Sequence, residues 1–282
     1  MSVVLAKHFS TSVLSADSRQ FYTEMEIGTA KPTKMEQAGV KHYFIDSHSI
    51  AEEITAANYE QQALEILENE FKIHDTIVLV GGSGMFIDAL CFGLDPIPAS
   101  KVLRDELTKQ VDKVGLNSLL QELEEKDPIY FSQVDQKNAM RVIRAIEAIR
   151  LSGKPYSAQR KAIPKERDFS IHRFIIDHPR EKLYVRINLR VDQMLEKGLL
   201  EEVKKLEKFK DFPALRTVGY TELFAFLEGK STYSDAVELI KQNSRRYAKR
   251  QLTWFRKHTD AIWIPYDSAQ NMSAKILEEL SL

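Results

Sequence analysis

Short runs of consecutive apolar residues mark the predicted strands of this chain. Four such runs occupy residues 12–15, 76–80, 173–177 and 261–264. Because the apolar residues are continuous rather than alternating, we expect strands that are covered on both faces, as in parallel α/β sheets.

Between these runs the apolar residues recur with a helical period. This pattern predicts helices at residues 2–9, 56–71, 103–114, 139–151, 191–209 and 236–258. Strands that alternate with helices favour an α/β fold with a parallel sheet. Residues 99–165 contain no convincing strand, so we expect a mostly helical insertion at 101–164 and an α/β core formed by 1–100 and 165–282.

Composition and charge exclude several classes of protein. Of 282 residues, 43% are apolar and 29% charged, and the net charge of −1 means that any nucleic-acid surface must be local. The single cysteine, Cys91, excludes a disulfide scaffold and a cysteine-based zinc site. The seven histidines lack the H-x-x-x-H spacing of zinc hydrolases, and we predict no metal-ligating residues. No apolar run approaches the ~20 residues that cross a bilayer, so we expect a cytoplasmic protein without a membrane partner.

Two segments that follow predicted strands carry candidate chemistry. Asp17 comes directly after the run at 12–15, where ligands bind in open α/β sheets. Its carboxylate could accept a proton from a nucleophile, or it could only cap the following turn. Residues 81–84 (Gly-Gly-Ser-Gly) follow the run at 76–80, and Ser83 offers a hydroxyl at a predicted helix start. Glycines at strand ends also occur where they only make the turn.

Two further segments carry clustered cations. Arg141 and Arg144 share one face of a predicted helix, which suits a phosphate backbone or an internal pair with Glu147. Residues 244–257 contain six Lys or Arg, no acid and three aromatic residues. This segment is typical of a phosphate-binding surface or of an amphipathic helix, and we expect its aromatic side chains to lie in the core. A segment at 216–222 has no function readable from its chemistry.

The chain has no phosphate loop of the form G-x-x-x-x-G-K-S/T. Its one Gly-Lys-Ser sequence starts at Gly229, and Phe224 stands where the first glycine is required. This sequence also follows a predicted helix rather than a strand.

Taken together, these segments resemble the tRNA dimethylallyltransferase (isopentenyltransferase) family. The matching motifs, in order, are SADSRQFY with IGTAKPT, LVGGSGMF, NAMRVIRAIE, RTVGYTE and RRYAKRQLTWFR, and they extend the resemblance over residues 2 to about 263. The resemblance implies a P-loop NTPase-like α/β core with a helical insertion. It also implies transfer of a dimethylallyl group from dimethylallyl diphosphate to N6 of the adenosine 3′-adjacent to the anticodon in tRNA.

The same resemblance implies roles for individual residues. Asp17, Ser83 and Arg104 match catalytic positions, with Asp17 as the base that takes the N6 proton. Residues that match tRNA-binding positions are Asp17, Ser18, Arg19, Gln20, Met140, Arg141, Val142, Ile143, Arg144, Arg216, Thr217, Val218, Gly219, Tyr220 and Thr221. In the closing basic motif, Arg246, Lys249 and Arg250 are possible phosphate-binding residues.

One departure from the family concerns the phosphate loop, which the resemblance places before residue 2 and which would hold the diphosphate and Mg²⁺. The missing strand that precedes it would lie in the middle of the sheet. We therefore expect a chain that is truncated at its N-terminus relative to the family and that binds the prenyl donor poorly. A monomer is the family-like expectation. Two alternatives stay open: a non-catalytic tRNA-binding remnant, and an adenylate isopentenyltransferase that acts on free nucleotides.

Overall fold

The strands form where the sequence has its apolar runs. A computed structural model describes residues 1–281. Its strands are β1 (Val13–Ser15), β2 (His42–Tyr43), β3 (Val78–Val80), β4 (Phe174–Asp177) and β5 (Ile262–Pro265). All four predicted strands are confirmed, whereas β2 was not predicted because two residues are too short to show a pattern.

Helices make up most of the remaining chain. They are α1 (Ser2–His8), α2 (Lys34–Gln37), α3 (Ala56–Glu70), α4 (Gly84–Phe92), α5 (Lys101–Val114), α6 (Asn117–Lys126), α7 (Pro128–Gln133), α8 (Ala139–Ser152), α9 (Tyr156–Gln159), α10 (Arg180–Glu196), α11 (Leu199–Leu206), α12 (Tyr220–Leu227), α13 (Tyr233–Phe255) and α14 (Ala269–Glu279). The prediction of one helix over 191–209 is wrong. Gly198, with φ +98°, separates α10 from α11, because this left-handed backbone conformation cannot continue a helix.

Parallel pairing joins the strands into two small sheets. One sheet has the order β2-β1-β3, with Val13 opposite both His42 and Val78. In the other sheet, β4 pairs with β5 and Phe174 lies opposite Ile262. The α/β class with parallel strands is confirmed, and the strands form two small sheets rather than one. The resemblance places a further strand in the middle of that sheet, and the sequence has no additional apolar run to supply one.

Coverage of the strands differs from the prediction as well. All residues of β1 are buried, whereas β3 is half-buried and β5 is partly exposed. The prediction of strands buried on both faces therefore holds for β1 alone, the central strand of its sheet. Its position makes β1 the rigid element from which the next residues extend.

Residue contacts divide the chain into two compact units. The first contains Met1–Cys91 and the chain from Asp168 onward, and the second is Phe92–Arg167. In the first unit, one apolar cluster lies against β1 and contains Phe21, Phe44 and Tyr59. A second cluster joins α10, α11, α12 and α13, and a third joins α1, β4, β5 and α14.

The second unit is built from helices in the part of the chain that the structure describes. Leu107 of α5, Leu119 and Leu123 of α6, and Ile143 and Ile146 of α8 form its core. No helix within residues 1–281 is both long enough and apolar enough to span a membrane.

Candidate active site

The carboxyl ends of β1 and β3 lie side by side and bring two predicted site segments together. Ala16 donates its N–H to the carbonyl of Val80 at 2.7 Å, and Ser83 donates its N–H to the carbonyl of Ala16 at 3.1 Å. The Asp17 segment and the glycine-rich turn therefore occupy the same edge of the sheet, where ligands bind in open α/β folds.

Side chains strengthen this junction. The Ser83 Oγ accepts the Ser18 N–H at 3.0 Å, and the Ser83 hydroxyl donates to the Ser18 Oγ at 3.1 Å. Ser83 is buried and immediately precedes α4, whose first amides have no partner within the helix. The two hydroxyls and this helix N-terminus form a surface that suits an anion beside Asp17.

Asp17 is half-buried at the centre of this arrangement. Its Oδ1 accepts the N–H of Arg19 at 2.9 Å, so the carboxylate does cap the turn, as one reading of the sequence predicts. Burial raises the pKa of Asp17, although the Arg19 N–H and the charge of Arg190 act in the opposite direction. A carboxylate with a raised pKa is a stronger base than an exposed one, so capping and proton acceptance are compatible.

The glycines of residues 81–84 are required by packing within the protein. A Cβ on Gly81 would lie 2.3 Å from the carbonyl oxygen of Ala16, and one on Gly84 would lie 2.3 Å from the ring of Trp254. At Gly82 the neighbour is the side-chain amide of Gln251, which donates to the Gly82 carbonyl at 2.9 Å. These glycines let β1, β3 and α13 approach closely.

Arg19 and Gln20 connect the same segment to two other parts of the chain. Arg19 donates from Nη1 to the carbonyl of Ala214 at 3.1 Å, just before the 216–221 segment. Gln20 donates from Nε2 to the carbonyls of Thr29 and Ala30 at 3.3 and 3.4 Å. Arg19 therefore links the SADSRQFY motif to the chain just before the RTVGYTE motif, and Gln20 links it to the IGTAKPT motif.

Within residues 216–221, only some side chains face solvent. Arg216 and Thr221 are exposed, whereas Tyr220 is fully buried and Gly219 lies at the start of α12. Thr217 and Val218 are half-buried, and Val218 packs against the helical core. Arg216 and Thr221 thus supply the accessible polar groups of this segment.

Sequence reasoning missed Arg190. This arginine lies on α10, donates from Nη2 to the Thr29 carbonyl at 3.5 Å, and acts electrostatically on Asp17. Burial lowers the pKa of its guanidinium, and the charge of Asp17 partly compensates. The signal in the sequence is the spacing of Arg186 and Arg190 on one helix face, but the predicted helix began only at residue 191.

The basic segment forms the C-terminal part of α13. Arg246, Lys249 and Arg250 are all exposed, as phosphate-binding residues must be. The expectation that the aromatic side chains lie in the core is wrong for Tyr247, which is 41% exposed and carries the Arg250 guanidinium 5.6 Å from its ring centre. Trp254 is partly buried and donates its ring N–H to Asp88 at 2.8 Å.

In the second unit, Arg104 and Arg144 share one buried carboxylate. Glu147 is fully buried and accepts bonds from Arg104 Nη2 at 3.1 Å, Arg144 Nη1 at 2.9 Å and the Ser100 N–H at 2.7 Å. Burial raises the pKa of Glu147, but these donors outweigh it and the pKa lies below the ordinary value. The internal pair with Glu147 that the sequence left open is therefore present.

The other predicted residues of α8 divide between surface and core. Met140 and Arg141 are exposed, with 58% of Met140 accessible. Val142 and Ile143 are buried in the core of the second unit. In this conformation, the surface at the start of α8 consists of Met140, Arg141 and the partly exposed Arg144.

Mg²⁺ is the metal ion that the family resemblance implies. Within residues 1–281 there is no cluster of three or more His, Cys, Asp or Glu side chains that could hold a metal ion. Mg²⁺ requires about six oxygen ligands and usually takes several from water and substrate phosphates. The residues around Asp17 do not fit a protein cage for Mg²⁺.

Comparison with known proteins gives a consistent set of relatives. The sequence model of the IPP transferase family matches residues 20–258. A tRNA dimethylallyltransferase of Cytophaga hutchinsonii is 45% identical over 93% of this chain and 87% of its own length. A tRNA dimethylallyltransferase 1 of Bacteroides thetaiotaomicron is 43% identical over 100% of this chain and 91% of its own.

Solved structures agree with the sequence relatives. A full-length tRNA isopentenylpyrophosphate transferase of Bacillus halodurans matches with a TM-score of 0.71 and 35% identity, over 99% of this chain and 90% of that one. A eukaryotic dimethylallyltransferase acting on tRNA matches with a TM-score of 0.80 over 98% of this chain and 73% of its own. At 23% identity the latter similarity concerns the fold alone.

Replacement of Gly81 tests the junction of the strand ends. We expect Gly81→Ala to lower the free energy of unfolding by about 1–3 kcal/mol, because its Cβ meets rigid backbone. Gly82→Ala is the matched control, since its Cβ meets the flexible end of Gln251 and should cost less than about 1 kcal/mol. Equal denaturation midpoints for the two variants would contradict the close approach of β1 and β3.

Replacement of Glu147 tests the shared carboxylate. Glu147→Gln should lower the free energy of unfolding by about 2 kcal/mol. This is less than the cost of breaking a fully buried ion pair, because the side chains of Arg104 and Arg144 are 26% and 28% exposed. Since the pKa of Glu147 is lowered, its stabilisation is present at neutral pH and decreases as the pH falls through that value. Glu122→Gln, which disrupts a more exposed pair, should cost less than about 1 kcal/mol. Urea denaturation of both variants at pH 7 and pH 4 measures these losses. An equal loss of unfolding free energy in Glu147→Gln and Glu122→Gln at pH 7 would contradict the role given to Glu147.

Proposed function

Because the chain belongs to the IPP transferase family, we propose that it transfers a dimethylallyl group from dimethylallyl diphosphate to N6 of the adenosine 3′-adjacent to the anticodon in tRNA. The reaction class, tRNA modification by dimethylallyl transfer, rests on relatives whose names state it and which match almost the whole chain. The donor, the acceptor atom and the residue roles are the proposal.

One observation carries the proposal: Asp17 and the Ser18–Ser83 hydroxyl pair lie together where β1 and β3 end. A transferase of this kind needs a proton acceptor beside the amine and polar groups beside the leaving diphosphate. Asp17 supplies the acceptor, and the two hydroxyls with the start of α4 supply the polar surface. Here Ser83 acts as a catalytic residue next to the diphosphate.

The chemistry is a substitution at the allylic carbon. The bond from N6 to carbon forms as the bond from carbon to oxygen breaks, diphosphate leaves with the electron pair, and the N6 proton passes to Asp17. An exocyclic adenine amine is a poor nucleophile, so removal of its proton as the new bond forms is what the enzyme must assist. The raised pKa of Asp17 makes it a suitable acceptor.

Residues of both units are proposed to contact the RNA. They are Asp17 to Gln20 at the site, Met140 to Arg144 at the start of α8, Arg104 beside them on α5, and Arg216 to Thr221 before and within α12. Arg246, Lys249 and Arg250, which are exposed on α13, are proposed to contact phosphates. A free nucleotide would use little of this surface, which favours tRNA over the free-nucleotide alternative.

Mg²⁺ belongs to the proposal as a cofactor whose ligands would come mainly from diphosphate oxygens and water. When bound, it would neutralise charge on the leaving diphosphate. No step above uses it, since the described residues lack a protein cage for the ion. We further propose that the protein acts as a monomer and in the cytoplasm, where its tRNA substrate would be found.

Substitution of the proposed base provides the first test of function. Asp17→Asn should lower the rate of label transfer from dimethylallyl diphosphate to unmodified tRNA by about 10²- to 10⁴-fold, because the amide cannot take the proton. tRNA affinity should change little, since the asparagine still caps the turn through its carbonyl oxygen. Asp75→Asn, the same change at an exposed residue before β3, controls for general damage.

Three results would contradict this assignment or the proposed function. Normal transfer by Asp17→Asn would exclude Asp17 as the base. Salt-dependent tRNA binding without turnover by the unsubstituted chain at saturating donor would favour the non-catalytic remnant. Inhibition of transfer by AMP in competition with tRNA would favour the free-nucleotide alternative.

The pH dependence tests the charge that faces Asp17. Since the pKa of Asp17 is raised, the base form should be lost, and kcat/KM should fall, at a pH above the ordinary aspartate value of about 3.9. Arg190→Gln removes a positive charge that lowers this pKa. The acid limb of the profile of kcat/KM against pH should therefore move to higher pH. Arg186→Gln, one turn earlier on α10, should move it less. An unchanged limb in Arg190→Gln would show that Asp17 is not the group that titrates.

A further inference from the structure

Glu202 of α11 binds a loop that is distant in sequence. Its Oε2 accepts the N–H groups of Glu26 at 3.1 Å and Ile27 at 2.7 Å, and its Oε1 accepts the N–H of Gly28 at 3.1 Å. Three consecutive backbone donors thus converge on one carboxylate. Hydrogen bonds to a charged acceptor are roughly twice as strong as those between neutral groups. The Glu202 carboxylate therefore holds in place a loop that lies outside any strand or helix.

Residues 29 and 30 of the same loop contact two side chains near Asp17. Its carbonyls at Thr29 and Ala30 accept bonds from the Gln20 side chain, and the Thr29 carbonyl also accepts one from Arg190. Gln20 belongs to the segment proposed to contact the RNA, and Arg190 acts electrostatically on Asp17. The position of residues 26–30 therefore sets the positions of Gln20 and Arg190.

Tyr220 of α12 contacts both Glu202 and the loop. Its hydroxyl donates to Glu202 Oε1 at 2.5 Å, and its ring is fully buried. Gly28 lies so close to this ring that a Cβ there would be 2.5 Å from it. Burial and the carboxylate of Glu202 both raise the pKa of Tyr220, so the phenol keeps the proton it donates. Two proposed RNA-binding segments, at 17–20 and 216–221, thus depend on the same carboxylate.

We propose that Glu202 is a positioning residue for tRNA binding, which orders the 26–30 loop and with it the RNA-contacting segment at 17–20. This inference rests on the proposed function. The bonds that place Asp17, Ser18 and Ser83 belong to the ends of β1 and β3 and do not involve Glu202. Loss of the carboxylate should therefore weaken tRNA binding more than it slows the chemical step.

The test is Glu202→Gln, which keeps the side-chain shape but directs an amide NH₂ at groups that are themselves donors. We expect the KM and the Kd for unmodified tRNA to rise about 10- to 100-fold, with kcat within about threefold of the unsubstituted chain. Amides 26–28 should exchange with solvent faster. Glu201→Gln removes the same charge from the preceding residue, whose side chain is 65% exposed and pairs with Lys204 on the same helix, and should change none of these values.

A second variant keeps the inference testable if Glu202→Gln folds poorly. Gly28→Ala leaves the carboxylate intact but displaces the loop from the Tyr220 ring, so it should also raise the Kd for tRNA and the exchange of amides 26–28. Fast exchange with unchanged tRNA affinity in either variant would overturn the inference and leave the proposed function standing. A fall in kcat at constant KM would also overturn it. Failure of the unsubstituted chain to bind tRNA at all would overturn the proposed function as well.

Discussion

The approach of Gly81 to the backbone of Ala16 is the contact on which the site depends. Any side chain at residue 81 would meet the Ala16 carbonyl at 2.3 Å, so the two strand ends can lie this close only because a glycine is present. The bond from the Ser83 N–H to the same carbonyl then places the start of α4 beside Asp17. The geometry of the proposed active site thus follows first from backbone packing.

Three carboxylates of this protein, those of Glu147, Glu202 and Asp17, differ in the number of donors around them. Glu147 and Glu202 each accept at least four hydrogen bonds and connect elements far apart in sequence. Donors of this kind stabilise the charged form, as the lowered pKa of Glu147 shows. Asp17 is enclosed with fewer donors, and its pKa is raised. The chain thus combines charged carboxylates that hold structure with one that suits proton transfer.

The parts of the fold that were predictable are those that local pattern determines. The four apolar runs became strands, and the predicted helix at 139–151 is α8 with nearly the same limits. The positions of Asp17 and Ser83 after strands were predicted from the same runs, whereas the pairing of β1 with β3 that brings them together was not. In contrast, the break at Gly198, the charge of Arg190 beside Asp17 and the bonds to Glu202 depend on contacts between distant residues. Composition cannot distinguish Glu202 from the exposed Glu201 beside it.

The division of the strands into two sheets has a consequence for the behaviour of the protein in solution. The two separate sheets have four edges in total, whereas a single sheet of the same strands would have two. Among residues 1–281, β3 pairs only with β1 and β4 only with β5, which leaves backbone donors and acceptors along their other edges without a strand partner. Such edges are templates for pairing with another chain. We therefore expect any self-association of this protein in solution to run through these edges rather than through the proposed RNA-contacting side chains.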